Sequence, residues 1–258
     1  MIMKISTGMG RWDNLLFRLV RRIKKNDHAS SFDFRNIPVI INNFNRLQCL
    51  GQQIQWLEKA GIKNIFIIDN FSGYKPLQEF YRRIKHTVFL LNKNVGFDAL
   101  WKTVIFQHFK SSYYVYTDPD IIPVEECPLN AVKYFYELLQ KYPHMDKAGF
   151  GLVTNDLPNH YPLKEKVIAW ESQFTQKQME ENIFDASIDT TFALYRPGVK
   201  GGSELKALRT GYPYVARHTA WYINPEALDE EEKFYMLHAG TSASWISEMT
   251  GRNRNIQY

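Results

Sequence analysis

The chain has 258 residues, of which 45% are hydrophobic and 23% are charged, a balance that excludes a disordered, collagen-like or fibrous protein. Its two cysteines, Cys49 and Cys127, are too few for a disulfide framework or a cysteine-rich zinc cluster and favour a reducing, cytoplasmic compartment. The net charge of +5 arises within residues 1–35, which hold eight cations and three anions. Because the rest of the chain is neutral, an extended nucleic-acid groove is not expected.

Residues 1–35 are predicted to form a basic amphipathic segment ahead of the main domain. Apolar residues recur at helical spacing over residues 11–25, with arginines and lysines around them. This helix lies either on the anionic inner face of a membrane or on the body of the protein with a solvated basic face. Residues 26–35 are polar and predict a linker. The sequence has no apolar run of about 18 residues, so we expect neither a membrane span nor a signal peptide.

From residue 36 the sequence predicts a regular alternation of strands and helices. Short apolar segments predict strands at residues 37–41, 64–68, 87–91 and 113–117. Amphipathic segments between them predict helices at residues 46–60, from Pro76 onward and at 97–109, with Gly61 just past the end of the first. Strands and helices alternating in this way predict an α/β fold with a doubly wound parallel sheet, whose ligands bind beyond the carboxyl ends of the strands.

The second half of the chain is less regular. It predicts a helix at residues 129–140, strands at 148–153 and 190–195, and a mobile loop at 198–211 that is rich in glycine and cations. In that loop Lys200, Lys206 and Arg209 either close over a diphosphate or are simply solvated. We therefore expect one domain over residues 36–258, with a nucleotide-binding half at 36–125 and an acceptor-binding half at 126–258.

The strongest chemical motif is Asp118-Pro119-Asp120, directly after the fourth predicted strand. Two carboxylates spaced in this way at a strand end are able to face one hard cation, and Mg²⁺ and Mn²⁺ prefer carboxylates together with phosphate oxygens. The alternative is an ordinary Asp-Pro turn without a ligand.

Two further strand ends carry candidate nucleotide contacts. Asp69 ends the second strand and either accepts a hydrogen bond from a nucleoside or caps the following turn. Asn94 and Gly96 follow the third strand, where Gly96 permits close approach of a ligand to the backbone. The alternative there is helix capping by Asn94 or Asp98.

This order of motifs resembles the family 2 nucleotide-sugar glycosyltransferases with the GT-A fold. Phe44-Asn45-Arg46 matches the family's sequence after the first strand, Asp69 its nucleoside-binding acid, and Asp118 and Asp120 its metal-binding Asp-x-Asp. The resemblance implies a UDP- or GDP-sugar donor and a Mn²⁺ or Mg²⁺ ion. It also implies a set of nucleotide-binding residues: Asn43, Arg46, Asp69, Asn94, Gly96 and Lys102.

The chain departs from the family pattern at three places. Lys102 stands near the position where the family often has an arginine. Asn70 and Phe71 separate Asp69 from Ser72, where the family has consecutive acids before its serine. The family's paired acids that supply a catalytic base are replaced by Ile188-Asp189-Thr190-Thr191.

An inverting transfer needs a carboxylate that takes the proton of the acceptor hydroxyl. Asp189 is the candidate, with a strand-start cap as its alternative and Glu171 as its rival. His218 is the candidate third metal ligand and His238 its rival, while Trp221 and Tyr222 either form an apolar platform for an acceptor sugar or belong to the core.

These features predict a metal-dependent transferase that moves a sugar to a hydroxyl of a glycan or lipid-linked acceptor in cell-surface polysaccharide synthesis. It is expected in the cytoplasm, and the membrane placement of residues 11–25 would make it peripheral on the inner face of the membrane. One alternative is a sugar nucleotidyltransferase, which is disfavoured because residues 42–46 contain no glycine. Another is a catalytically silent relative that binds carbohydrate or acts as a scaffold.

Overall fold

The computed structural model of the chain describes residues 1–5, 33–189, 191–202 and 204–239. The predicted basic helix at 11–25 and most of the predicted linker at 26–35 lie outside the described residues. Among the helices that are described, none combines the length and the apolar character needed to cross a bilayer.

The described residues form one mixed sheet of eleven strands with helices packed on its two faces. The strands are β1 (Ile2–Ile5), β2 (Val39–Asn43), β3 (Ile65–Asp69), β4 (Thr87–Leu91), β5 (Tyr114–Thr117), β6 (Ile121–Pro123), β7 (Lys147–Leu152), β8 (Gln178–Glu180), β9 (Ile183–Asp185), β10 (Ala193–Tyr195) and β11 (Ala207–His218). The helices are α1 (Gln48–Lys59), α2 (Lys75–Arg83), α3 (Ala99–Lys102), α4 (Phe106–Phe109), α5 (Ala131–Lys141), α6 (Lys164–Ser172) and α7 (Glu230–His238).

The first half of the sheet is parallel, as the sequence predicts. Its strands run in the order β1-β4-β3-β2-β5, and every neighbouring pair is parallel. Asn43 is paired with Asp69, so the last residues of β2 and β3 lie side by side at the carboxyl edge of the sheet. The α/β class is therefore confirmed. The edge strand β1 was not predicted, because its four residues lie within the segment assigned as basic and amphipathic.

Helix α1 illustrates how the local sequence sets the boundaries of these elements. Its buried face includes Leu50, Ile54 and Leu57, which recur at helical spacing and pack under the sheet. The helix ends at Lys59 and is capped by Ala60, and Gly61 lies just past its end, as predicted. The φ of Gly61 is +75°, and its N–H donates to the carbonyl of Glu58 at 3.0 Å. A glycine is favoured here because the left-handed backbone costs it nothing.

The second half of the sheet mixes strand directions. Strand β10 runs antiparallel to both β5 and β7, and β11 pairs with β7 in parallel and with β6 and β9 in antiparallel. Strand β6 is short, and its pairing with the end of β11 brings the chain around His218 back to the carboxyl end of β5. This return connects the two halves of the sheet at one edge.

Two predicted elements are wrong. The helix predicted at 97–109 is two short helices, because Thr103 adopts an extended backbone (φ −120°, ψ 165°) and bonds the Ala99 carbonyl through its hydroxyl at 2.9 Å. The β-branched Thr103 and its two apolar β-branched successors disfavour an unbroken helix. The predicted loop at 198–211 is also too long, because residues 207–211 belong to β11, in which residues 208–210 pair with β7 on one side and β9 on the other.

The high aromatic content is used in the core. On one face of the sheet, the rings of Tyr114 and Tyr195 stack at a centroid distance of 5.1 Å, and Trp101 packs against Tyr195 at 5.5 Å. On the other face, Phe135 and Phe150 meet edge to face at 4.9 Å beneath α5. Paired aromatic rings of this kind add about 1 kcal/mol beyond the area they bury.

Candidate functional site

The turn after β5 carries the two acids of the Asp-x-Asp motif and is held from below by Gln53. The Gln53 side chain is fully buried in α1 and donates to the carbonyls of Asp118 at 3.0 Å and Ile121 at 2.8 Å. Gln53 was not among the residues predicted from the sequence. The signal was a glutamine placed on the otherwise apolar face formed by Leu50, Ile54 and Leu57.

The structure brings Asp120 and His218 together, although they are 98 positions apart. His218 is the last residue of β11 and is paired with Ile121 of β6, and the N–H of Thr219 donates to the Asp120 carbonyl at 2.8 Å. This pairing places His218 Nε2 at 3.2 Å from Asp120 Oδ2. The His218 side chain is 20% exposed and the Asp120 side chain is 15% exposed, so a ligand at the sheet edge has access to both.

The Asp120 carboxyl is ionised more readily than an ordinary aspartic acid. Burial by itself raises its pKa, but the charge and hydrogen bond of His218 and the positive charge of Arg46 outweigh burial and lower the pKa below the usual value. Asp120 is therefore a carboxylate at neutral pH, which is the form that binds a cation.

The predicted set of three metal ligands is not assembled as a closed cage. Within the described residues, no group of three or more His, Cys, Asp or Glu side chains is arranged to hold a metal ion. The Asp120–His218 pair nevertheless fits one. Two neighbouring ligands of an octahedral ion lie about 3 Å apart when each bond is about 2.1 Å, and Mg²⁺ typically takes its other ligands from water and substrate phosphates. The pair thus fits a cation that is shared with a diphosphate, but not a cation held by protein alone.

Arg46, a predicted nucleotide contact, is engaged by helix α7. Its side chain is 4% exposed, forms an ion pair with Glu232, and lies with Cζ at 3.6 Å from the ring centroid of Tyr235. A buried guanidinium needs such a partner, because an unpaired charge is costly away from water. The guanidinium of Arg46 is therefore already in contact with other residues of the protein in this structure.

Helix α7 was not predicted, although its start carries a recognisable signal. Asp229 caps the helix by accepting the N–H of Glu232 at 2.7 Å, in an Asp-x-x-Glu sequence. Another acid of the first turn, Glu231, accepts the N–H groups of Leu47 and Gln48 at 2.9 and 3.1 Å. Since α1 has no side-chain cap of its own, Glu231 supplies that cap from the far end of the chain.

Aromatic contacts complete the docking of α7 on the carboxyl edge of β2 and β3. Phe44 meets Tyr235 at a ring-centroid distance of 6.2 Å, and Tyr74 meets Phe234 at 5.2 Å. Burial raises the pKa of Tyr235 to about 12, and the charge of Asp120 contributes in the same direction. Helix α7 therefore stands beside the Asp-x-Asp turn and forms one wall of the candidate site.

The structure places Asp69 and Asn43 below the surface of this edge. Asp69 is 4% exposed, its Oδ1 accepts the N–H of Ser72 at 2.9 Å, and burial raises its pKa. This is the turn-capping arrangement that the sequence left open. Asn43 is fully buried and donates to the Tyr81 hydroxyl at 2.8 Å, so its side chain faces α2 rather than a ligand.

The loop after β4 remains accessible at the rim. Asn94 Oδ1 accepts the N–H of Gly96 at 2.9 Å, and Gly96 has φ of +93°, a value that favours glycine. Lys102 is 54% exposed, and its Nζ lies 2.8 Å from Asp98 and 3.3 Å from the Val95 carbonyl. This loop thus presents the cation of Lys102 and the exposed Asn94 to the solvent.

The two candidate bases have different environments. Asp189 is exposed, and its carbonyl accepts from Lys147 Nζ at 3.4 Å. Glu171 is buried and pairs with Arg209 at 2.5 Å, so it is not free to take a proton from an acceptor. Arg209 is itself buried in β11, which makes its predicted place on a mobile loop wrong.

The remaining candidates are dispersed. Trp221 is 2% exposed and packs on the His218 ring at 4.8 Å, which leaves it no free face for a sugar. Tyr222 donates to Asp156, and the exposed His238 bonds the Phe234 carbonyl within α7 at 2.7 Å.

The two lysines of the predicted cationic loop are also apart from the Asp-x-Asp turn. Lys200 lies over Phe106, with Nζ at 5.7 Å from the ring centroid, and the backbone N–H of Lys206 bonds Asp146 at 2.9 Å.

No protein-family profile and no curated protein matches the sequence. Among solved structures, the chain is similar to the mannosyltransferase PcManGT from Pyrobaculum calidifontis in complex with GDP-Man and Mn²⁺, at 12% identity over 95% of this chain and 73% of that one, with a TM-score of 0.45. It is also similar to the inositol-1-phosphate CTP transferase from T. maritima, at 13% identity over 84% and 98% of the two chains, with a TM-score of 0.42.

A third similar structure is GalNAc-T7 with UDP, GalNAc and Mn²⁺, at 12% identity and a TM-score of 0.42, covering 95% of this chain and 66% of that one. At such identities and TM-scores these likenesses add nothing to the α/β class that the strand order already establishes.

Proposed function

We propose that the protein is a GT-A type glycosyltransferase that moves a sugar from a UDP- or GDP-sugar to a hydroxyl of a glycan or lipid-linked acceptor, in cell-surface polysaccharide synthesis. The observation that carries the proposal is the contact of His218 with Asp120 at 3.2 Å, at the carboxyl edge of a parallel sheet. In open α/β sheets this edge is where ligands bind.

In this proposal Asp120 and His218 would hold Mn²⁺ or Mg²⁺ beside the donor diphosphate, and Asp118 would be a further ligand from the same turn. When bound, the ion would supply positive charge that offsets the negative charge on the departing nucleoside diphosphate. Lys102 is exposed beside the loop after β4 and contributes a second positive charge toward the same phosphates. Its flexible four-carbon stem suits a contact that forms when the donor arrives.

Asp189 is assigned as the base that takes the proton of the acceptor hydroxyl, since its exposure makes it reachable from solvent. The acceptor oxygen bonds to the anomeric carbon of the sugar while its proton passes to the Asp189 carboxylate. The bond between that carbon and the diphosphate oxygen breaks, and the electron pair leaves with the diphosphate. Lys147 supports this step by holding the carbonyls of Ile188 and Asp189.

The proposed location is the cytoplasmic face of a membrane, where lipid-linked acceptors lie. It depends on the basic segment at residues 11–25, whose cations suit anionic headgroups. Sedimentation with vesicles of anionic and of neutral lipid tests this part separately from the chemistry.

The function is tested by measuring release of nucleoside diphosphate from UDP- and GDP-sugars with Mn²⁺. Wild-type protein is expected to release it, Asp120→Asn to lose the activity, and Asp156→Asn to keep it. Asp156 is a matched control because it too is an aspartate with a basic partner, and its Oδ2 accepts from Arg217 Nε at 2.7 Å. A wild-type protein that binds these donors without turnover would instead be a silent carbohydrate-binding relative.

A further inference from the structure

Two phenylalanine side chains are left largely exposed at the carboxyl edge of the sheet. Phe71 is 58% exposed and Phe97 is 55% exposed. They follow β3 and β4, which are neighbouring parallel strands, so both rings start from the same rim. The function proposed above uses neither of them.

Hydrogen bonds fix the two backbones relative to one another. The Asn70 side chain accepts the N–H of Val95 at 2.8 Å and donates to the carbonyl of Gly96 at 2.7 Å, which ties the residue before Phe71 to the loop before Phe97. The Phe97 carbonyl in turn accepts the Tyr116 hydroxyl at 2.7 Å. The rings therefore stand on a rigid base, although they face solvent.

The backbone of Phe71 makes this exposure costly for the fold. Its φ is +72°, a left-handed conformation that is unfavourable for a bulky residue and easy for glycine. The turn is held from both sides, since the Asn70 N–H donates to the Asn43 carbonyl at 2.8 Å and the Ser72 N–H donates to Asp69 at 2.9 Å. An aromatic ring that is both exposed and carried on such a backbone does not serve stability.

We propose that Phe71 and Phe97 stack on the nucleobase of the bound nucleotide, with Phe71 as the main contact. This inference rests on the proposed function and adds the residues that recognise the base. An exposed aromatic ring offers a flat apolar face, which every nucleobase matches. The cation of Lys102 lies along the same loop, 3.3 Å from the Val95 carbonyl, so the rim combines a stacking surface with a phosphate partner.

The test compares the melting temperature with the nucleotide affinity, because a substitution at Phe71 is expected to change them differently. Phe71→Gly removes the ring and relieves the left-handed backbone, so its melting temperature is expected to rise or stay equal. Its affinity for UDP and GDP in the presence of Mn²⁺, measured by calorimetry, is expected to fall about tenfold. Its affinity for inorganic pyrophosphate is expected to remain that of wild type.

Further variants separate stacking from general apolar contact. Phe71→Leu keeps the apolar bulk without an aromatic face and is expected to lose affinity, while Phe71→Tyr is expected to retain it. Leu129→Ala is the control, since Leu129 is an exposed apolar residue, at 46%, that follows β6 rather than β3 or β4.

Unchanged nucleotide affinity in Phe71→Gly would overturn the stacking proposal while leaving the transferase proposal intact. An equal loss of pyrophosphate binding together with a lower melting temperature would mean that the ring packs against other parts of the chain, which also overturns it. A wild-type protein that binds neither UDP nor GDP would remove the proposed function itself.

Discussion

Glu232 of α7 forms an ion pair with Arg46, which lies 186 positions earlier and directly after β2. The pair joins the end of the described chain to the carboxyl edge of the sheet. It is largely buried, since the side chain of Arg46 is 4% exposed and that of Glu232 is 18% exposed. This pair holds α7 against the sheet edge, where α7 forms one wall of the candidate site.

We expect Glu232→Gln to destabilise the protein by about 3 kcal/mol, because it leaves the buried Arg46 charge without its partner. The measurement is the free energy of unfolding in urea. Glu230→Gln is the matched control, since Glu230 is 86% exposed and its ion pair among the described residues is with Lys233 on the same helix. That control is expected to change stability by less than about 1 kcal/mol. Equal effects of the two variants would show that the Arg46 pair does not hold α7.

Lys147 predicts a distinct pH dependence of stability. Burial, despite the nearby Asp189 charge, lowers the pKa of Lys147 from its usual 10.5 to about 8. Between these two pH values the unfolded chain binds a proton that the folded protein does not, so stability from this group rises with pH, by up to about 1.4 kcal/mol per pH unit.

The replacement Lys147→Met is expected to remove this contribution to the slope. Unfolding by urea at several pH values between 8 and 10 measures it, and the difference between wild type and variant cancels the titration of other groups. Parallel slopes in the two proteins would contradict the depressed pKa.

Replacement of the two candidate bases is expected to change different properties, turnover for Asp189 and stability for Glu171. Asp189→Asn is expected to lower turnover about 10²- to 10⁴-fold with unchanged donor affinity, the usual effect of removing a general base. Glu171→Gln is expected to lower stability by about 3 kcal/mol because it orphans the buried Arg209, with the pH profile of turnover unchanged. A shifted pH profile in Glu171→Gln and none in Asp189→Asn would exchange their roles.

The parallel half of the sheet was readable from the sequence because each of its signals is local. The apolar run of β2 and the glycine after α1 each determine a nearby element, and the rule that crossovers are right-handed orders the strands. The split of the predicted helix at 97–109 was harder to read, since it depends on one residue, Thr103, bonding back to Ala99.

The surroundings of the site could not be read in the same way. The Arg46–Glu232 pair joins residues from opposite ends of the described chain, and no periodicity links them. Helix α7 buries Glu231 rather than an apolar stripe, so it lacks the pattern by which helices are recognised. The burial of Trp221 and Arg209 likewise depends on distant strands and helices that pack over them.

The most direct test of the account is the effect of Mn²⁺ on binding of UDP and GDP, measured by calorimetry in wild type, Asp120→Asn and His218→Gln. We expect Mn²⁺ to tighten nucleotide binding to wild type at least tenfold, and to have little effect in either variant, with all three proteins melting at similar temperatures. An equal Mn²⁺ effect in the three proteins would contradict the claim that Asp120 and His218 share a cation with the nucleotide.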